Sequence, residues 1–176
     1  MKKDLTAFLE AKEHSPFTKS FESNYATFRH GLVSGCIEQI CEPENYVPEF
    51  QRANDKWNKK MQVKFIENLV LGFCSQISLY TVSKNEFPNW LILDGFQRLT
   101  AVNLFIYHQL KIFNGLTYDD VKAHIDSGVN QLQFRLYRFN SEIEAVEFYI
   151  SINENITHSK KDIQRAKDYL AKLKEK

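Results

Sequence analysis

The sequence predicts an α+β fold, a small sheet surrounded by helices. Three stretches read as strands: an apolar, β-branched run at 77–82, a buried run at Trp90-Leu91-Ile92-Leu93, and the alternation of Leu132, Phe134 and Leu136. Around them, apolar residues recur at helical spacing. The 14 Phe and 8 Tyr against 6 Gly and 4 Pro are the composition of a folded, helix-rich chain. Its 176 residues fit one domain, or one domain with a small helical appendage.

Residues 1–45 read as a mostly helical extension with a loop near Ser15 and Pro16, and 46–176 as the domain proper. Between 61 and 73, Ile66, Leu69, Val70 and Phe73 share one face of an amphipathic helix. The first two strands follow, separated by a polar loop containing Pro88. The chain then turns at Asp94-Gly95 into its strongest helix, where Leu99, Val102, Ile106 and Leu110 share a face and Asn114-Gly115 supplies a stop. Thr117 and Asp120 have capping-box spacing and open a shorter helix. After the strand at 132–138, helices are expected near 142–150 and 159–174. The last has Ile163, Ala166, Leu170 and Leu173 on one face and Ser159 with Asp162 as its capping box.

Charge and cysteine usage narrow the function classes. The 23 basic and 22 acidic side chains nearly cancel, so net charge points to no nucleic-acid partner. The residues from Ser159 to Lys176 carry seven Lys or Arg against three Asp or Glu. That excess suits a phosphate backbone, although the solvated face of an amphipathic helix explains it as well. Cys36, Cys41 and Cys74 form no CxxC pair and read as reduced thiols. The five histidines show no metal-ligand spacing; His108 reads as a partly buried structural residue, and His158 is placed to reach the site described next. The amino terminus lacks the apolar core of a signal peptide and no run reaches the length of a membrane span, so a cytoplasmic protein with no membrane partner is expected.

Chemistry concentrates at the strand-to-helix turn. A buried strand delivers Asp94 and Gly95 to a helix N-terminus, where unpartnered N–H groups and the helix dipole favour an anion. Gly95 permits a positive φ or a close approach to the backbone. Gln97 and Arg98 in the first turn can hydrogen-bond phosphate, Arg98 bidentately. Asp94 is a candidate magnesium ligand, since that metal takes a carboxylate together with phosphate oxygens. Local physics leaves a plainer account open: Asp94 caps the helix, Gly95 makes the turn, and Arg98 pairs with a nearby carboxylate.

Beyond local physics, Asp94-Gly95-Phe96-Gln97-Arg98-Leu99-Thr100 resembles the DGQQR-L-T signature of a bacterial and phage domain family. That family includes the GmrS part of GmrSD restriction enzymes and the SspE phage-defence proteins. Val47-Pro48-Glu49-Phe50-Gln51-Arg52 is similar to its opening motif, with Trp57 at about the family's spacing. Phe65-Ile66-Glu67-Asn68-Leu69 and Phe148-Tyr149-Ile150-Ser151-Ile152-Asn153 resemble two further segments, in the family's order. The resemblance spans roughly Tyr46 to Asp162 and implies a ParB/sulfiredoxin-like fold, a small mixed sheet surrounded by helices. It further implies a nucleoside-triphosphate pocket with Asp94, Gly95, Gln97 and Arg98 as its floor. Gln51 and Arg52 would enter from the side, Asn153 would orient a phosphate or base, and magnesium would be the cofactor. The setting it implies is a bacterial cell, with the gene carried by the host, a phage or a mobile element.

Departures from the family pattern set further expectations. Phe96 stands where the first Gln of the motif is found; it either deletes an amide that orients water, slowing hydrolysis, or points into the core. After Asn153, relatives have a Gly-rich turn where this chain reads Glu154-Asn155-Ile156-Thr157-His158. Relatives often continue into a His-Asn-His nuclease domain, an arrangement the five histidines here do not form. Any nuclease activity is therefore expected from this domain or a partner. Gly95 to Arg98 also resembles the Gly-x-x-Arg turn of ParB proteins and sulfiredoxins. Sulfiredoxin needs a cysteine where Phe96 stands, so sulfinic-acid reduction is not expected. Three readings follow: a weak nucleoside-triphosphate hydrolase in DNA restriction or its evasion, a non-catalytic module binding DNA or a nuclease subunit, and a nicking nuclease.

Overall fold

A computed structural model of the chain describes residues 24–27, 42–51, 56–73, 75–82, 90–124, 131–154 and 160–175. In chain order the elements are β1 (Asn24–Thr27), a 3-10 turn (Pro43–Tyr46), α1 (Lys59–Val70), β2 (Ser75–Thr81), β3 (Leu91–Asp94), α2 (Phe96–Ile106), α3 (Tyr118–His124), β4 (Gln131–Arg138), α4 (Glu142–Asn153) and α5 (Lys160–Lys174). The sheet runs β1-β4-β2-β3, with β4 and β2 parallel and the two outer pairings antiparallel. This is the mixed sheet of the α+β fold expected from the sequence.

Successive residues of a strand point to opposite faces, and here both faces are covered. Ile77 and Leu79 of β2, Ile92 of β3, and Leu132 and Phe134 of β4 join a core with Ile66 and Leu69 of α1 and Leu99, Val102 and Phe105 of α2. The alternate residues Tyr80, Leu93 and Tyr137 turn the other way, onto Phe50, Ala145, Val146 and Tyr149 of α4, and Ala166 of α5. Burial on both sides explains why β2 reads as an apolar run rather than as an alternation.

Three local expectations differ from what is observed. Asn24–Thr27, inside the stretch expected to be helical, is a strand paired with β4. Its Asn-Tyr-Ala-Thr sequence has no helical apolar period, and the pairing partner lies far along the chain. The remainder of 1–41 lies outside the described residues. The helix after Gly95 ends at Ile106, before Leu110, because His108 takes the left-handed conformation (φ 61°). The amide of Gln109 then donates to the Leu104 carbonyl (2.8 Å) and that of His108 to Phe105 (3.0 Å), a Schellman closure with histidine in glycine's usual place. Asn114-Gly115 serves instead in a tight turn bridged by Ile112 and Leu116. His108 is exposed, not part of the core, and lies 3.5 Å from Asp119.

The expected caps at described residues are present in part. The Asp120 carboxylate accepts from the amide and the hydroxyl of Thr117 (2.7 Å each) at the start of α3. Asn58 and Ser141 cap α1 and α4 by accepting from Met61 and Glu144. Ser159, Cys36, Cys41, Cys74 and His158 lie outside the described residues. No helix among the described residues is long and apolar enough to cross a membrane.

Candidate functional site at the turn from β3 to α2

Burial of Ile92 and Leu93 on opposite faces fixes β3 in the sheet and brings Asp94 to its end. Gly95 follows at φ 103°, a region L side chains rarely adopt. A Cβ built there would meet Ile77 Cδ1 at 2.7 Å and Ile77 Cα at 3.4 Å. The glycine thus serves the backbone turn and close packing on β2. No side chain caps α2. Asp94, which capping would require, instead places Oδ2 2.6 Å from Arg98 Nη2. Of the plainer account, the glycine turn and the Arg98 pairing hold, and the Asp94 cap does not.

Gln97 is buried, 5% exposed, on the first turn of α2. Its Oε1 accepts the backbone N–H of Trp57 (3.0 Å), which fixes the amide's orientation. The Nε2 donor is then buried with no partner among the described residues. Leaving a buried N–H unsatisfied costs about 1–3 kcal/mol, which a ligand with an acceptor atom would recover.

Gln51 comes to the same place from the preceding loop. Its Nε2 donates to the carbonyls of Ile92 (3.1 Å) and Leu93 (3.3 Å), so the amide nitrogen holds β3 rather than facing an open site. Asn153, also buried, donates Nδ2 to the Tyr149 carbonyl of its own helix (2.9 Å). Phe96 packs in the core cluster that includes Ile66, Leu69 and Leu99, as the second of its two readings expected. Gln51, Asp94, Gly95, Gln97 and Arg98 are thus brought together at one turn, and the Asn153 Nδ2 bonds within its own helix. Arg52 lies outside the described residues.

The family described as "GmrSD restriction endonuclease, N-terminal domain" matches residues 33–176. The chain belongs to this family. Searches of curated proteins and of solved structures return no match to it. Within this GmrSD-type domain, the turn offers a test of magnesium and phosphate as ligands. Asp94 leaves 42% of its side chain exposed, and no group of three or more His, Cys, Asp or Glu gathers among the described residues. One reachable carboxylate beside an arginine, a helix N-terminus that no side chain caps and an amide donor with no partner among the described residues are the groups that magnesium carried in by phosphate oxygens would meet here.

Two features of the site escaped sequence reasoning. One is the Trp57 N–H that orients Gln97, for which Trp57 gave only a spacing. The other lies on α5, where Arg165 Nε donates to the Glu49 carbonyl (2.8 Å) and Asp162 pairs with Lys56 (3.4 Å). An open groove of about 530 Å³ runs along the same helix, lined by Glu49, Lys161, Gln164, Arg165, Asp168 and Lys172. It is separate from the Asp94–Arg98 turn, and Glu49 and Asp168 stand in it beside the basic residues. Lys167 and Lys174 are paired with Glu154 and Glu147 of the neighbouring segment and α4.

Proposed function

We propose that this domain binds the phosphates of a nucleoside triphosphate, with magnesium, at the turn from Asp94 to Arg98. It hydrolyses the triphosphate slowly, in the service of DNA restriction or of its evasion. The observation that carries the reading is the buried Nε2 of Gln97, an oriented donor with no partner among the described residues, at a helix N-terminus that no side chain caps. Family membership supports the setting.

Each residue then has a separable task. A phosphate can take the guanidinium N–H groups that the single Arg98 Nη2–Asp94 contact leaves over, and the planar fork can grip two oxygens at once. Asp94, beside that phosphate, is the residue to hold magnesium. When bound, the ion offsets charge on the phosphate oxygens. Gln97 donates to an oxygen, and the first N–H groups of α2 stabilise what remains. The Phe96 ring is committed to the core and supplies no group to orient water. Slow turnover follows, because positioning and charge stabilisation alone carry the reaction.

The experiment is phosphate release by purified protein with magnesium and each of the four ribonucleoside triphosphates, beside Arg98→Ala. The expected result is turnover that falls about a hundredfold or more in the variant. Failure to bind any of the four would sink the reading. A second reading, the non-catalytic module, draws on one specific observation. Gln51, Asp94, Arg98 and Asn153 already have partners within the chain. DNA or protein binding that Arg98→Ala leaves unchanged would favour it, and magnesium-dependent cleavage of DNA would favour the nicking nuclease.

A further inference from the structure

We propose that Arg165 and Asp162 of α5 are positioning residues for the Asp94–Arg98 turn, acting through the two chain stretches that touch it. The proposal rests on the reading of that turn as a phosphate site. It assigns α5 a role that its amphipathic pattern does not suggest.

The argument begins at Phe50. This ring is wholly buried and packs against three others: Tyr80 of β2 at 5.9 Å, Tyr149 of α4 at 5.1 Å and Tyr169 of α5 at 5.9 Å. Its two chain neighbours face different ways. The Glu49 carbonyl takes the N–H of Arg165, and the Gln51 amide holds the carbonyls of Ile92 and Leu93, just before Asp94. One residue therefore separates the grip of α5 from the group that fixes the end of β3.

The same pattern recurs on the far side of the loop. Lys56 pairs with Asp162, whose carboxylate side chain is only 10% exposed. The next residue, Trp57, gives its N–H to Gln97. A carboxylate so little exposed holds its cation more firmly than a surface pair would, because water competes poorly for it. Asp162 and Arg165 stand at i and i+3, on one face of α5, so a single helix face brackets both stretches. Neither side chain touches Asp94, Gln97 or Arg98 in any described contact. Their effect on the turn passes through Gln51 and through the orientation of Gln97.

Loosening either grip lets the loop drift from β3 and lets the Gln97 amide rotate, so the donor is no longer held toward the ligand. A misplacement of this size weakens binding while leaving the fold intact. Other contacts dock α5 independently: Lys167 and Lys174 bind Glu154 and Glu147, and Ile163 and Ala166 are buried. The control is therefore Lys167→Ala, which cuts a docking contact of α5 without touching the loop.

The experiment compares wild type, Arg165→Ala, Arg165→Lys, Asp162→Asn, Lys167→Ala and Arg98→Ala in two measurements. The first is amide hydrogen exchange across residues 47–51 and 56–58. The second is affinity for the magnesium complexes of the four ribonucleoside triphosphates. Arg165→Ala and Asp162→Asn are expected to speed exchange in both stretches and weaken binding by about tenfold, the worth of one charge-assisted hydrogen bond. Arg165→Lys should recover part of both effects, and Lys167→Ala should match wild type. Arg98→Ala should lose binding with exchange unchanged. Exchange at the wild-type rate in Arg165→Ala and Asp162→Asn overturns the proposal whatever the nucleotide result. Faster exchange with undiminished affinity, while Arg98→Ala still abolishes binding, overturns the positioning role and leaves the phosphate site standing. No binding by the wild type removes both.

Discussion

At the scale of single residues, Gly95 and Tyr80 make opposite predictions. Alanine at 95 must adopt a φ of 103° and crowd Ile77, so Gly95→Ala should cost about 1–3 kcal/mol in urea unfolding. Adding Ile77→Val removes the nearest atom, Cδ1, and should return part of that loss. No recovery would mean the backbone alone sets the cost. Tyr80 buries its hydroxyl without a partner among the described residues, and burial, with Glu142 adding, pushes its pKa far up. Tyr80→Phe deletes an unsatisfied group and should leave stability unchanged or higher by up to about 1 kcal/mol. A larger loss would reveal a bridging water. The sequence placed Arg98 beside some carboxylate but gave Asp94 a cap, whereas the two, four residues apart at a helix start, pair with each other. The partners of Gln51 and Gln97 were not legible there, since backbone groups about forty residues away leave no trace in a local pattern.

At the scale of elements, α3 illustrates how charge enters stability. Bonds from the Thr117 amide first, and then its hydroxyl, hold Asp120 below the usual carboxylate range. The folded pKa lies below the unfolded one, so the contribution is complete above the ordinary aspartate range and is lost as pH falls through the depressed value. Asp120→Asn should lower the melting temperature at neutral pH, with the gap to wild type closing in acid. A gap that stays constant would contradict the assignment. Apolar period pointed to α1, α2, α5 and β4, short apolar runs to β2 and β3, and capping-box spacing to α3. The stop of α2 did not follow from the pattern, because its αL residue is His108 and Asn114-Gly115 offered a stronger but misplaced signal. The strand β1 did not either: four residues acquire strand geometry only from β4, more than a hundred positions later.

At the scale of the molecule, two cores lie on opposite faces of one sheet. The Phe50 cluster joins the sheet to α4 and α5, and the Ile66 cluster joins it to α1 and α2. Ile66→Ala, in the wholly buried first core, should cost about 2–5 kcal/mol and leave triphosphate affinity at saturating folded protein unaltered. Chemical denaturation and a binding titration check the two halves of that expectation. The tail's positive excess, read from composition, is distributed among ion pairs, the Glu49 carbonyl and a mixed groove, which only the packing of α5 on its neighbours reveals.

Strand β4 pairs with both β1 and β2, which do not pair with each other. During synthesis, then, neither of these earlier strands can pair with β4 until residue 138 has left the ribosome. The antiparallel β2–β3 pair and the helices packed on it can assemble first, over short stretches of chain. Both pairings of β4 then close long loops, the slow kind of step in folding. Until β4 emerges, the nascent chain carries β2 with one hydrogen-bonding edge bare.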